Sequence, residues 1–135
     1  TDSLRNQLVP INRRYGLDVL FEACYRYVER TGRRVSFEWA LIEGVNDTPE
    51  QAQALAARLK GLLAHVNLIP LNPTPDYAGQ SPSQVTLDAF AAELERYHIP
   101  HTVRVRRGVD IQAGCGQLRQ RNQSSSRSTN RARSP

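Results

Sequence analysis

Apolar positions along the chain recur with a helical period in three segments, and each of these is followed by a strand-like run. In residues 17–31, LDVLFEACYRYVERT, the residues Leu17, Leu20, Phe21, Cys24 and Val28 fall on one helical face, and Gly32 is a stop signal. The next run, RVSFEWALIE, switches period. Val35, Phe37, Trp39 and Leu41 alternate with Ser36, Glu38 and Ala40, which predicts a strand. Thr48, Pro49 and Gln51 read as N-cap, first helical residue and capping-box partner of a second helix. Its inner face carries Ala52, Leu55, Ala56, Leu59 and Leu62. HVNLIPLN (65–72) is the second strand, with Pro70 marking a bend or an end. After a long loop, NPTPDYAGQSPS, the third helix has Leu87, Phe90, Leu94 and Tyr97 in register, and HTVRVRR (101–107) is the third strand.

Helices and strands that alternate at this spacing argue for parallel strands joined by crossover helices, an α/β fold. Three strands are too few to close a barrel, and an open sheet of this size is poorly covered. The pattern therefore reads as the last part of a larger α/β barrel, in which loops after the strands carry the chemistry. Those loops are GVNDTPE, NPTPDYAGQSPS and GVDIQAGCG.

Composition changes this picture in three places. First, the net charge of +5 is confined to the end of the chain. Residues 119–135 hold Arg119, Arg121, Arg127, Arg131 and Arg133 and no acid, so 18 basic residues less these 5 leave 13 against 13 acidic ones in the body. Residues 1–118 thus read as a neutral folded segment and 119–135 as a basic Ser/Arg-rich disordered tail. Such a tail can also hold RNA phosphates without sequence preference. Second, the two cysteines, Cys24 and Cys115, are far apart, which is neither a disulfide framework nor a zinc pattern. A reducing, cytoplasmic setting is expected. Third, no apolar run approaches membrane-spanning length, and TDSLRNQLVP has no basic leader followed by an apolar stretch. The lack of any Met reads as an internal start rather than a natural beginning.

Among candidate chemical residues, Cys115 stands out because glycines flank it in the stretch AGCGQL. A small thiol in a turn fits, and so does a reactive thiol that a second group must approach closely. Asn72, at the end of the second strand, can bond its own backbone before Pro73 or present a donor and an acceptor to a ligand. Glu38 and Ser36 share one strand face and either line a cavity or meet solvent. Cys24 reads as core. Asn46 and Asp47 read as the turn before Thr48, and Arg13 and Arg14 as a surface basic pair able to meet RNA phosphates. His65, His98 and His101 have no metal-ligand spacing.

LVPINRRY (8–15), EGVND (43–47), NLIPLNP (67–73) and CGQL (115–118) occur in an order and spacing that resemble the C-terminal part of the radical S-adenosylmethionine rRNA adenine methyltransferases. The resemblance covers residues 1–118 and implies the C-terminal portion of a partial (β/α)6 barrel. It implies methylation of carbon 2 of an adenosine in 23S rRNA, and of a tRNA adenosine in many members; a related branch targets carbon 8. By the same resemblance, a 4Fe–4S cluster cleaves S-adenosylmethionine to a radical. That radical takes hydrogen from a methyl group carried on the cysteine of CGQL, here Cys115. A second cysteine then releases the product by forming a disulfide. Asn72 is the position that hydrogen-bonds S-adenosylmethionine, and an electron donor such as flavodoxin is implied.

The cluster motif C-x-x-x-C-x-x-C, the releasing cysteine and the N-terminal RNA-binding domain of that family are not in this sequence. Two cysteines do not ligate a cubane alone. The expectation is therefore a segment of a longer enzyme, inert by itself, with the cluster bound by residues outside this chain. Gly114 and Val109 stand where many members carry alanine and an acidic residue, which weakens only the inferred loop conformation. The competing expectations are a non-catalytic RNA-binding module acting through the arginine tail, and a thiol redox protein using Cys115 alone.

Overall fold

The computed structural model describes residues 1–104 except 73, 75 and 76. These residues belong to one unit, Thr1–Arg104. Cys115 and the basic tail lie outside the described residues. The elements run α1 (Asp2–Leu8), a 3-10 turn (Pro10–Arg13), α2 (Leu17–Thr31), β1 (Val35–Leu41), α3 (Pro49–Leu59), β2 (Ala64–Pro70), α4 (Gln84–Arg96) and β3 (His101–Val103). The three strands form a sheet of order β1-β2-β3. Both pairings are parallel, with Val35 opposite Ala64, Leu41 opposite Pro70, and Val66 opposite His101. The expected α/β alternation with parallel strands and crossover helices is what the chain forms.

Alternation along each strand sends one set of side chains into the core. Leu41, Val66 and Leu68 are fully buried, joined by Phe90 and Leu94 of α4 and Leu55, Ala56 and Leu59 of α3. Phe21 of α2 stacks on Phe37 at 5.5 Å between centroids, and Trp39 meets Phe90 at 5.8 Å. Cys24 and Val28 are half-buried against the same core, as the helical period predicts. Tyr25 Oη donates to the Lys60 carbonyl (2.8 Å), tying α2 to the end of α3.

Helix boundaries follow local chemistry. Gly32 ends α2 in the left-handed conformation (φ 64°), which costs a Cβ-free residue nothing. Thr48 and Ser83 accept the Gln51 and Thr86 backbone N–H groups at the starts of α3 and α4. The expected capping box is half made. The Gln51 side chain donates to the Val45 carbonyl (3.2 Å), fastening the preceding turn instead of reaching back to the cap. Tyr97 also departs from its expected inward position and is 46% exposed. Helix α4 stops at Arg96, and His98 turns the chain in the left-handed region (φ 56°). The His98 N–H bonds Glu95 O and the Ile99 N–H bonds Leu94 O, a Schellman closure that buries Ile99 where Tyr97 was expected.

Helix α1 and the 3-10 turn have no counterpart in the periodicity reading. Their anchor is Asn12, 3% exposed. Its amide donates to Asp2 Oδ1 (2.8 Å) and Asn6 Oδ1 (2.8 Å), and its carbonyl oxygen accepts from Arg5. Asp2 Oδ1 also accepts the Leu17 N–H (2.8 Å), so this carboxylate seats the start of α2. The Asn12 bond first, and the Leu17 bond second, hold the Asp2 carboxyl below the usual aspartate range.

Candidate functional site

The side of the sheet away from the core is uncovered among the described residues, and its composition is unusual for its topology. All-parallel sheets are normally covered on both faces, so a central strand reads as a continuous apolar run. Here β2 is central, yet it alternates buried Ala64, Val66 and Leu68 with half-buried His65, Asn67 and Ile69. On β1 the corresponding exposed positions are Ser36, Glu38 and Ala40, and on β3 Thr102.

Strand register turns these positions into rows. Ser36 lies opposite His65, Glu38 opposite Asn67, and Ala40 opposite Ile69, while Thr102 lies on the other side of Asn67. Asn67 Nδ2 donates to Glu38 Oε1 at 2.7 Å, and His65 Nε2 sits 2.9 Å from Thr102 Oγ1. Glu38 is the only acidic side chain on this face among the described residues. Nearer the carboxyl ends of the strands the polar rows give way to the small and apolar pair Ala40 and Ile69.

The carboxyl edge is held by its own hydrogen bonds. The Leu71 N–H donates to Leu41 O (2.9 Å) and the Glu43 N–H to Gln80 O (2.9 Å), joining the loops that leave β1 and β2. Asn46 and Asp47 make the turn after β1, as expected. Asn46 Oδ1 accepts the Ile42 N–H (2.8 Å), its amide donates to Ala40 O (2.8 Å), and Asp47 Oδ1 accepts the Gly44 N–H (3.0 Å). A Cβ at Gly79 would run into the Tyr77 ring and the Leu71 side chain, so the second loop passes Leu71 closely where it carries glycine.

Asn72 follows Leu71 on this edge and is exposed. Cys115 lies outside the described residues. Cys24, the other cysteine, faces the core, and burial pushes its thiol pKa up. The histidines serve local roles: His65 pairs with Thr102, His101 Nδ1 contacts Ile99 O (2.9 Å), and His98 forms the turn after α4. Arg13 and Arg14 are exposed. The sequence reading singled out Glu38 but not Asn67; the signal for it was an asparagine at an alternating position of an interior parallel strand.

These side chains offer hydrogen bonds to a polar ligand at the carboxyl edge and over the open face. They do not fit an iron–sulfur cluster. Among the described residues no group of three or more His, Cys, Asp or Glu could hold a metal ion, and the sole described cysteine packs half-buried against the core. No helix among them is long and apolar enough to cross a membrane.

No family model matches the chain. It is 52% identical over 119 residues to the dual-specificity RNA methyltransferase RlmN 1 of Myxococcus xanthus, covering 88% of this chain and 33% of that protein. It is 51% identical over 120 residues to the probable dual-specificity RNA methyltransferase RlmN of Desulforudis audaxviator, covering 89% and 38%. The crystal structure of a radical SAM methyltransferase from Sphaerobacter thermophilus matches with a TM-score of 0.82 and 56% identity over 87% of this chain and 34% of that one. A domain of the pyruvate-formate lyase-activating enzyme from Bacteroides vulgatus matches with a TM-score of 0.62 at 19% identity over 77% and 61%, a likeness of fold alone. The chain spans about a third of the length of the curated relatives it matches, aligning with their C-terminal part.

Proposed function

We propose that this chain, a homologue of the C-terminal third of the dual-specificity RNA methyltransferases, is the S-adenosylmethionine-facing segment of a radical enzyme that methylates carbon 2 of an adenosine in 23S rRNA and in tRNA. The observation that supports the reading is the polar open face of an all-parallel sheet, with the exposed Asn72 on its carboxyl edge. A fold whose interior strand keeps His65 and Asn67 out of its core has a second, polar surface to fill.

S-adenosylmethionine and a 4Fe–4S cluster, when bound, supply a radical that abstracts hydrogen. The cluster belongs to residues outside this chain, because the described side chains do not fit it. The chain's own part is to bind and to carry. Asn72 offers one donor and one acceptor to the charged amino-acid end of S-adenosylmethionine. Cys115 is the thiol that bears the methyl group on its way to the base. The thiolate is the nucleophilic form of such a thiol. The adjacent glycines leave room for sulfonium and base to approach. Residues 1–118 form the enzyme segment and 119–135 a basic tail. The setting is cytoplasmic, and a flavodoxin-type donor supplies the electron.

The test uses the intact enzyme freed of its cluster and incubated with S-adenosylmethionine bearing a deuterated methyl group. Peptide mass spectrometry is expected to find the label on Cys115 and nowhere else in this chain. An unlabelled Cys115 refutes the reading, and so does full RNA methylation by the Cys115→Ala enzyme.

A further inference from the structure

The row formed by Glu38 and Asn67 has chemistry that binding at Asn72 does not use. Asn67 Nδ2 donates to Glu38 Oε1 at 2.7 Å, and a carboxylate accepts but never donates. The bond therefore fixes the asparagine amide in one of its two orientations. After that bond the amide still has a second N–H and an unclaimed Oδ1, both on the open face among the described residues. One row nearer the carboxyl edge lie Ala40 and Ile69, directly opposite each other, a small and an apolar side chain with no polar group. A flat apolar platform beside one fixed donor and one fixed acceptor matches a nucleobase seen on its edge.

We infer that Asn67, locked by Glu38, reads the N1/N6 edge of an adenine lying on Ala40 and Ile69. An asparagine amide pairs in bidentate fashion with adenine, accepting from the exocyclic N6–H and donating to a ring nitrogen. Hypoxanthine presents the reverse pattern, an acceptor at O6 and a donor at N1. A freely turning amide would flip and accept either base. An amide held by a carboxylate does not, so Glu38 is a positioning residue and the pair confers base specificity. No proton or electron moves in this role. The inference rests on the proposed binding of S-adenosylmethionine, whose adenine is one source of this edge. The target adenosine of the RNA is the other.

The experiment measures equilibrium binding to the intact holoenzyme, with S-adenosylhomocysteine and S-inosylhomocysteine as probes. A second arm uses an RNA oligonucleotide carrying adenosine or inosine at the target position. The wild-type enzyme is expected to prefer the adenine form in one arm by roughly ten- to a hundredfold, the discrimination of one good bidentate pair. Glu38→Gln keeps size and hydrogen bonding, but glutamine satisfies either orientation of the Asn67 amide. It is expected to bring the two forms within about threefold by improving inosine binding, a gain that a merely structural role would not produce. Asn67→Ala is expected to lose the preference by weakening adenine binding. The arm that changes identifies the source of the base. Preference unchanged in both variants and both arms overturns the inference while leaving the proposed function standing. If the wild-type holoenzyme fails to bind S-adenosylhomocysteine at all, both fall.

Discussion

The two faces of the same three strands differ in nearly every property. The helix side holds Leu41, Val66 and Leu68, none of them accessible to solvent, closed by Phe90 and Leu94. The open side holds Glu38, Asn67, His65 and Thr102, hydrogen-bonded to one another across the strands. Strand alternation is indifferent to which face is which, so the contrast is set by side-chain chemistry alone. It separates two tasks. One face supplies the apolar burial that holds the unit together, and the other, polar and hydrogen-bonded across the strands, is the face the proposed function gives to a ligand. Asn67 and Leu68 are neighbours in sequence and belong to different tasks.

That separation can be broken or sharpened by substitution. The largest effect is expected on the helix side. Phe90→Ala removes a fully buried ring and should destabilise the fold by about 3–5 kcal/mol in chemical denaturation. At the rim between the two faces, Asn46→Ala leaves the Ile42 N–H and the Ala40 carbonyl without their partner. It should cost about 2 kcal/mol in the same assay. The opposite sign is expected at His98, where a left-handed non-glycine residue closes α4. His98→Gly should stabilise by about 0.5–1 kcal/mol. On the open face Asn67→Leu should leave the denaturation midpoint nearly unchanged while weakening adenine binding roughly ten- to a hundredfold in the arm that shows the preference. A large loss of stability there would mean that the polar row is structural and the contrast false.

A further test is pH. The folded-state pKa of Asp2 lies below its unfolded value, so its contribution is present above the ordinary aspartate range. It is lost as pH falls through the depressed value. Amide exchange at Leu17, whose N–H bonds Asp2, should therefore accelerate only below that range, while exchange in β2 stays slow.

Most of this contrast could be read from residue order. Val35, Phe37, Trp39 and Leu41 alternate cleanly, and Gly32 and Thr48 mark element ends by chemistry that acts within four residues. Tyr97 was misplaced because periodicity cannot see a left-handed residue at His98 that turns the chain one position earlier. Helix α1 escaped because seven residues contain too few turns for a period. Its anchor, Asn12, reaches back ten residues to Asp2, a distance that local patterns do not carry. Glu38 was visible as a polar strand residue. Its pairing with Asn67 was not, because register between strands 29 residues apart belongs to the tertiary fold. Cys115 and Asn72 could be assigned roles only through the motifs around them.

The central claim is that the open face and its carboxyl edge form a ligand surface. The most direct measurement is a crystal structure of the intact holoenzyme with S-adenosylhomocysteine. The account predicts ligand density across the Ala40, Asn67 and Ile69 side of the sheet, with the Asn72 amide within hydrogen-bond distance of it. Ligand bound elsewhere, with this face filled by side chains from another part of the protein, would contradict it.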